Sequence, residues 1–269
     1  MSRIAVCSWS LQPSDAHDLA ERVRACGLDA VQLALDPVRS GLMPVDEMRR
    51  VLTEAGITAV SGMMAMVGED YSTIETIRRT GGLVAAEHFE ANLEAARANA
   101  RVAGALGIPL VTFHAGFIPD EGEPDRALMA ERLRRMHDVF GGEGLGIALE
   151  TGQESAASLR SFLDEAGGDI GVNFDPANMI LYGTGDPVAA LRSLAPFVRQ
   201  VHVKDALPSE SPGQWGVEKP VGEGAVDWPA FFREVPPGLD LVVECEAGED
   251  RTGNVRQAVE LIRRHLGDR

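Results

Sequence analysis

The sequence lacks the features that mark membrane and secreted proteins. Its apolar runs are all too short to cross a bilayer, so we expect no membrane association. The stretch MSRIAVCSWSL at the start has one arginine and a short apolar run, with no small-residue cleavage site after it, so we expect no signal peptide. The three cysteines, Cys7, Cys26 and Cys245, are far apart and in no metal-binding spacing. This usage indicates reduced thiols in a cytoplasmic protein.

Positive charge is also scarce. Lysine and arginine together number 25, against 41 aspartates and glutamates, and the formal net charge is −16. A surface this acidic repels phosphate backbones and anionic lipid, so we expect no nucleic-acid partner. Acidity alone does not indicate a metal site, because many enzymes are acidic for solubility.

Two further absences concern the architecture. No glycine-rich dinucleotide fingerprint follows the first predicted strand, which disfavours a doubly wound sheet. No Ser/Pro-rich linker divides the chain, so we expect a single domain over residues 1–269.

What the chain does contain is a regular alternation of short apolar runs and helical stretches. The runs are rich in Val, Ile and Leu and nearly continuous in hydrophobicity, as strands covered on both faces should be. The eight predicted strands are RIAVCSWS, LDAVQLAL, ITAVSGMMA, IPLVTFHAG, LGIALETG, IGVNFDPAN, VRQVHVKDA and LDLVVECEAG.

Helix signals lie between the strands. Ser14 is the predicted N-cap of the first helix, and Gly27, Gly56 and Gly107 follow helical stretches as stop signals. Eight βα units in a chain of this length predict a single (β/α)8 TIM barrel, with its active site at the C-terminal mouth of the strands. Two long loops, over 66–87 and 207–227, follow strand C-termini and should lie at that mouth.

Titratable side chains end four of the strands. Glu150, Asp175, His202 and Glu244 each follow an apolar run, and strand ends converge in a closed barrel. Each one alone is more readily a solvated rim residue or an ion-pair partner, but their recurrence favours a common site. Three carboxylates and an imidazole suit Mn²⁺, Mg²⁺, Co²⁺ or Zn²⁺, because a divalent ion relieves the repulsion between the acids.

The stretches ALETG, NFDPAN, VHVKDA, VVECEAGEDR and VTFHAGFIP resemble, in order and spacing, motifs of the xylose isomerase-like TIM-barrel superfamily. The similarity is greatest to proteins described as sugar phosphate isomerases/epimerases. The resemblance implies that Glu150, Asp175, His202 and Glu244 bind one divalent metal ion. It also implies that the catalytic pair Glu150 and Glu244 exchanges protons with the substrate, on opposite faces of the sugar.

Some positions depart from that pattern. Asn178 stands where the ketose 3-epimerases of the superfamily have a histidine that contacts the sugar, and Cys245 stands where many relatives have an arginine. Their arginine downstream of the histidine ligand has no clear counterpart, and Lys204 is the nearest cation.

The remaining candidates are predicted to bind substrate, each with a structural alternative. His114 either positions a hydroxyl or is a buried structural histidine, and Lys204 either holds an anionic group or pairs with a barrel glutamate. Trp215 is predicted to form an apolar wall, while Trp9 is expected in the packed core. Asp205 is expected to cap a loop or orient a neighbour. The predicted substrate-binding residues are His114, Asn178, Lys204, Glu246 and Trp215.

These observations predict a divalent-metal-dependent sugar isomerase or epimerase that transfers a proton next to a carbonyl through an enediolate, on a small sugar or polyol-derived substrate. The alternative is an inosose- or dehydroshikimate-type dehydratase on the same barrel, since both reactions begin with the same proton abstraction. The resemblance also allows a homo-oligomer. A DNA-repair endonuclease is disfavoured by six histidines and the acidic charge, and a non-catalytic sugar-binding protein by the pair of glutamates.

Overall fold

Eight parallel strands close into a barrel in the computed structural model, which describes residues 2–211 and 213–266. The strands are β1 Ile4–Cys7, β2 Ala30–Ala34, β3 Thr58–Met63, β4 Leu110–Phe113, β5 Gly146–Glu150, β6 Ile170–Phe174, β7 Val198–Val203, β8 Asp205–Leu207, β9 Val217–Lys219 and β10 Asp240–Val243. All but β8 and β9 belong to the barrel, whose closed order is β1-β10-β7-β6-β5-β4-β3-β2. The predicted TIM barrel is confirmed.

Helices cover the outside of the barrel. They are α1 Ser8–Leu11, α2 Ala16–Ala25, α3 Leu35–Arg39, α4 Val45–Ala55, α5 Ile74–Thr80, α6 Phe89–Leu106, α7 Pro124–Gly141, α8 Ala156–Ala166, α9 Pro176–Tyr182, α10 Pro187–Leu194, α11 Trp228–Glu234 and α12 Arg251–Leu266. Helices α1, α3, α5 and α9 were not predicted; α1, α3 and α9 begin within two residues of the end of a barrel strand, and α5 lies in the loop after β3. Among the described residues, none of the helices is both long enough and apolar enough to cross a membrane.

The predicted C-terminal ends of α4 and α6 are confirmed, and the predicted N-cap of α2 is wrong. Gly56 and Gly107 end α4 and α6 with φ of 62° and 69°, a left-handed conformation that favours glycine. The N-cap of α2 is Asp15 and not Ser14. The Asp15 carboxylate accepts a hydrogen bond from the amide of Asp18, whereas Ser14 donates its own amide to the Asp18 carboxylate.

The apolar core has two parts. The larger part lies between the strands and the helices and includes side chains such as Phe113, Phe140 and Phe174. A smaller, separate cluster is formed by Ala5, Cys7, Ala30, Val60 and Val242 of the barrel strands. The upper half of the interior holds polar side chains instead, which places the chemistry at the C-terminal mouth.

Both long loops contain regular structure. The loop over 66–87 includes α5, and the loop over 207–227 begins with the hairpin of β8 and β9, which pair antiparallel. Asp205 is fully buried, and its carboxylate accepts hydrogen bonds from the amides of Gly222 and Val226 and from the indole of Trp228, so it fastens the loop as expected. A Cβ at Gly224 would clash with the Asp205 carboxylate, so only glycine fits there.

Candidate active site

The four predicted metal ligands meet at the mouth of the barrel. Glu150 ends β5, Asp175 follows β6, His202 lies in β7 and Glu244 follows β10, and these four strands are neighbours in the barrel. One ligand atom from each residue lies within 4.8 Å of the others, and all four side chains are buried. Residues spread over almost a hundred positions of the chain therefore form one cluster.

The centre of the cluster is His202 Nδ1. This nitrogen is 3.1 Å from Glu244 Oε2, 3.5 Å from Glu150 Oε1 and 3.6 Å from Asp175 Oδ2. His202 Nδ1 and Asp175 Oδ2 are both buried and have no hydrogen-bond partner. Buried polar atoms are normally satisfied, so two such atoms facing each other are accounted for by a shared cation. The donor set, three carboxylates and one imidazole, fits a divalent ion.

The pKa values reflect the crowding of charge. Burial acts to raise the pKa of Glu150 and Glu244, but His202 facing both, with His114 beside Glu150 and Lys204 beside Glu244, holds each below its ordinary value. Burial raises the pKa of Asp175 to about 6. Burial acts to lower the pKa of His202, yet the surrounding carboxylates, Glu150 foremost, raise it well above its ordinary value. The site has a strong demand for positive charge.

Helix α9 orients two members of the site. Asp175 is its N-cap, and Pro176 occupies the first turn. Asp175 Oδ1 accepts the amide of Asn178 at 2.9 Å, so the carboxylate is held with Oδ2 toward the cluster. The side chain of Asn178 in turn donates to Glu150 Oε1 at 2.9 Å. Asn178 therefore contacts one of the proposed catalytic glutamates as well as lining the cavity.

A layer of buried polar side chains lies directly beneath the cluster. We call it the amide layer, and it comprises Gln32, Ser61, Thr112, Asn173 and Gln200. Asn173 Nδ2 donates to Glu150 Oε2 at 3.2 Å, Gln200 Nε2 donates to Asn173 Oδ1, and Ser61 bonds across the barrel to Gln200. Sequence reasoning missed this layer. Its signal is a polar residue inside an otherwise apolar strand, as in AVQLA, GVNF and VRQVHV.

The amide layer assigns the tautomer of His202. Gln32 Oε1 is 2.7 Å from His202 Nε2, and Gln32 Nε2 donates to Thr112 Oγ1 at 2.8 Å. Thr112 passes its own proton on to the Gly62 carbonyl or the Met63 sulfur, so the amide of Gln32 has one orientation. Asn173 Nδ2 also lies 3.0 Å from His202 Nε2, but the contact with Gln32 Oε1 is the shorter one. It assigns the proton to Nε2 and leaves Nδ1 available to a metal ion.

A cavity of about 710 Å³ opens above the cluster. All five residues predicted to bind substrate line it, namely His114, Asn178, Lys204, Glu246 and Trp215. Trp9 also lines it and donates its indole N–H to Glu244 Oε1 at 2.7 Å. Trp9 packs against the smaller core cluster, as expected, but it is only partly buried, because the chain turns into α1 immediately after β1 and the ring also faces the cavity.

Several other lining residues were not predicted, among them Asp36, Glu69, Tyr71, Tyr182 and Glu218. Glu69 and Tyr71 come from the loop over 66–87, and Glu218 comes from the loop over 207–227. Those loops were assigned to the mouth, but nothing in a loop sequence indicates which side chain turns inward.

Lys204 lies inside the barrel mouth among acids. Its ammonium is 2.7 Å from Glu246 Oε2, 3.3 Å from Glu244 Oε2 and 3.8 Å from Glu218 Oε2. Burial acts to lower the pKa of Lys204, but these carboxylates raise it well above its ordinary value. The lysine is therefore a charged member of an ion-pair network.

His114 and Trp215 both belong to the wall of the cavity. His114 Nε2 is 3.7 Å from Glu150 Oε1, and its buried Nδ1 has no hydrogen-bond partner. The ring of Trp215 meets Tyr182 edge to face, with 4.7 Å between the centroids. This aromatic pair forms one side of the cavity.

Comparison with a family model and with solved structures points to one family. A family model described as xylose isomerase-like TIM barrel matches residues 20–265. A xylose isomerase domain protein from Planctomyces limnophilus is 29% identical, with a TM-score of 0.87 over 98% of this chain and 99% of that one. No match is found among curated proteins.

Two more distant structures share the fold. One is the probable 3-DHS dehydratase AsbF from Bacillus anthracis, 16% identical, with a TM-score of 0.75 over 97% of this chain and 98% of that one. The other is an L-ribulose 3-epimerase, 18% identical, with a TM-score of 0.74 over 99% of this chain and 95% of that one.

Proposed function

Because the chain belongs to the xylose isomerase-like TIM barrel family, we propose that it is a divalent-metal-dependent isomerase or epimerase of a sugar or polyol-derived substrate. The reaction is proton transfer next to a carbonyl, through an enediolate. The observation that carries the proposal is the convergence of four ligand atoms within 4.8 Å, two of them buried without a hydrogen-bond partner.

Glu150, Asp175, His202 and Glu244 would hold the ion, which is Mn²⁺, Mg²⁺, Co²⁺ or Zn²⁺ by the chemistry of the donors. When bound, the ion supplies Lewis-acid stabilisation of the negative charge that develops on the substrate oxygen. The amide layer would hold Glu150 and His202 in place from below, and Asn178, Trp9 and Lys204 would orient Asp175 and Glu244.

Glu150 and Glu244 are proposed to move the protons. They come from the two ends of an arc of four neighbouring strands, with Asp175 and His202 between them, so they face a bound molecule from opposite sides. Both pKa values are held low, so each carboxylate is ionised and ready to accept a proton. One glutamate removes the proton next to the carbonyl; the other, also ionised at rest, takes up a proton from water and donates it to the opposite face, and the first then releases its proton to solvent.

Hydrogen bonds set the orientation of the two bases. Asn173 and Asn178 each donate to one oxygen of Glu150, and Trp9 and Lys204 each donate to one oxygen of Glu244. Fixed carboxylates lose little conformational entropy when the substrate arrives. The fixed orientation of the two carboxylates therefore favours a role in proton transfer over substrate binding alone.

The test is hydrogen exchange in D₂O. Purified protein is loaded with Mg²⁺ or Mn²⁺, its metal content is measured by elemental analysis, and ketoses are followed by mass spectrometry for deuterium uptake. We expect about one ion per chain and deuterium uptake next to the carbonyl, without loss of water. Glu150→Gln and Glu244→Gln should each abolish turnover and remain folded, whereas Glu249→Gln, the same change on an exposed residue of the loop after β10, should leave it unaltered. Wild-type turnover in either of the first two variants would refute the assigned roles.

A dehydratase on the same barrel is the second candidate. It is favoured by the likeness to the 3-DHS dehydratase, whose TM-score of 0.75 equals that of the epimerase within a hundredth. Elimination of water begins with the same proton abstraction, so the same residues would serve. Loss of a water molecule's mass from an inosose or a dehydroshikimate, in place of deuterium uptake, would identify this reaction.

We also propose a cytoplasmic location. All three cysteines are free and buried, which is consistent with the proposed cytoplasmic location.

A further inference from the structure

We infer that the substrate of this site carries neither a phosphate nor a carboxylate, and that the cavity is built for an uncharged sugar or cyclic polyol. The inference rests on the proposed function and narrows its substrate class. It depends on how charge is distributed over the wall of the cavity and over the loops around it.

The wall of the cavity is acidic. Six of its lining residues carry carboxylates, namely Asp36, Glu69, Glu150, Glu218, Glu244 and Glu246. Among the described residues, Lys204 is the one lysine or arginine that lines it. With Asp175 included there are seven carboxylates; Asp36 pairs with Arg39 at 2.9 Å, and the other six face three positive charges even when a divalent ion is counted with Lys204. An anionic group entering this cavity meets net repulsion.

The ammonium of Lys204 is already paired with carboxylates and is not available to an anionic substrate. Its side chain is almost fully buried, at 3% exposure of the residue, and its ammonium lies within 4 Å of three carboxylates. A phosphate or carboxylate could reach this ammonium only by displacing Glu246, and it would then lie beside the largely buried carboxylates of Glu244 and Glu218. Repulsion from these two acids opposes the exchange.

The usual phosphate position of a TIM barrel is also blocked. In such barrels phosphates bind at the loops after the seventh and eighth strands and at a helix N-terminus there. Here the loop after β10 carries Glu246, Glu249 and Asp250, and Asp250 caps α12 by accepting the amide of Gly253 at 2.9 Å. The loop after β7 carries Glu223, which binds the side chain of Gln257. Carboxylates therefore lie where a phosphate would bind in such barrels, and they disfavour an anion there.

The rest of the wall suits an uncharged ring. Aromatic rings of Trp9, Tyr71, Tyr182 and Trp215 line the cavity. Apolar atoms of Pro37, Met63 and Met64 line it as well. A sugar or cyclic polyol has hydroxyls on its edges and C–H groups on its faces, so it can use the acids and the apolar surface together. Among the dehydratase substrates, this favours an inosose over a dehydroshikimate, which carries a carboxylate.

Matched pairs of substrates test the inference. Protein loaded with Mg²⁺ is incubated in D₂O with D-fructose and D-fructose 6-phosphate, and with D-ribulose and D-ribulose 5-phosphate. We expect kcat/KM for deuterium uptake to be at least about 100-fold lower for the phosphorylated member of a pair. Equal or faster exchange with the phosphorylated member overturns the inference while leaving the proposed function intact.

A binding measurement tests it without turnover. Inorganic phosphate is titrated into wild-type protein and into the double variant Glu218→Gln/Glu246→Gln, which frees Lys204 of two partners. We expect no heat of binding up to about 10 mM phosphate for the wild type and a dissociation constant of about 1 mM for the double variant, lost again when Lys204→Met is added. Glu249→Gln is the control and should behave as the wild type.

Two outcomes of the titration overturn the inference. One is submillimolar phosphate binding to the wild type that disappears in Lys204→Met. The other is a double variant that remains folded by circular dichroism and gains no affinity for phosphate. Failure of the proposed function would look different, as protein that binds no divalent ion and exchanges no ketose.

Discussion

Replacing Gln32 by leucine should weaken metal binding without touching a ligand. Gln32 Oε1 accepts the proton of His202 Nε2 at 2.7 Å, and no other oxygen among the described side chains is placed to take that proton. Leucine has a similar volume but no acceptor, so the imidazole loses the partner that orients it and increases its basicity. The proton then moves readily to Nδ1, the nitrogen that faces the three carboxylates.

The size of the effect follows from the hydrogen bonds that the substitution removes. Removal of a hydrogen-bond partner behind a metal-bound histidine costs about 10- to 100-fold in affinity, or roughly 1.4–2.7 kcal/mol. Thr112 and Cys7 also lose their hydrogen bonds to Gln32. The loss of these buried hydrogen bonds should lower the free energy of unfolding by about 2–4 kcal/mol. A loss of stability alone would therefore not show whether Gln32 orients His202 or only stabilises the fold.

The assay separates the two roles. Mn²⁺ affinity is measured by calorimetric titration, and stability by urea denaturation of the metal-free protein. Ser61→Ala is the matched control, since Ser61 belongs to the same amide layer and bonds to Gln200 at 2.6 Å but contacts no ligand. It should lose stability and keep its Mn²⁺ affinity within about threefold. Gln32→Glu should restore affinity, because a carboxylate also accepts from Nε2. Equal Mn²⁺ affinities in Gln32→Leu and wild type would refute the reasoning.

Three further changes have defined outcomes. Trp9→Phe removes the 2.7 Å hydrogen bond to Glu244 and should lower kcat/KM by about 10-fold with an unchanged unfolding midpoint; unaltered kinetics would exclude this hydrogen bond from catalysis. Asp205→Ala removes the acceptor of three amides and of the Trp228 indole and should cost about 3 kcal/mol in urea denaturation, and a loss below about 1 kcal/mol would contradict its role. Burial raises the pKa of Glu154 from 4.5 to about 8, so folding favours its protonated form and stability falls as the pH rises between those values. The advantage of Glu154→Gln over wild type in the free energy of unfolding should therefore be about 1–2 kcal/mol larger at pH 9 than at pH 5. The same pH dependence of stability in both proteins would refute the assignment.

The barrel could be predicted because its strands carry a local signal. A strand such as IGVNF is buried on both faces and reads as a continuous apolar run, and Gly56 and Gly107 are helix ends that only a left-handed conformation explains. The short helices α1, α3 and α9 were missed because each has fewer than eight residues and directly follows a strand. Helices of that length have too little periodicity to separate from the apolar run before them.

The convergence of the four candidate metal ligands could be predicted for a related reason. In a closed parallel barrel every strand ends at the same mouth, so a titratable residue after an apolar run has a known place in three dimensions. Glu150, Asp175, His202 and Glu244 all fulfil that rule. The assignment of His202 Nδ1 and the partners of Lys204 could not be predicted, since both depend on side chains from distant strands.

By itself, the sequence determined the order of strands and helices, the barrel and the ends of the strands at which acids and an imidazole collect. These follow from hydrophobic periodicity and turn chemistry, which act over a few neighbouring residues. Only the tertiary structure decided that Gln32 binds His202, that Trp9 reaches Glu244 and that Lys204 is held by three carboxylates. Those interactions join residues up to 235 positions apart, and they depend on barrel closure, loop conformation and the packing of individual side chains, which no local pattern encodes.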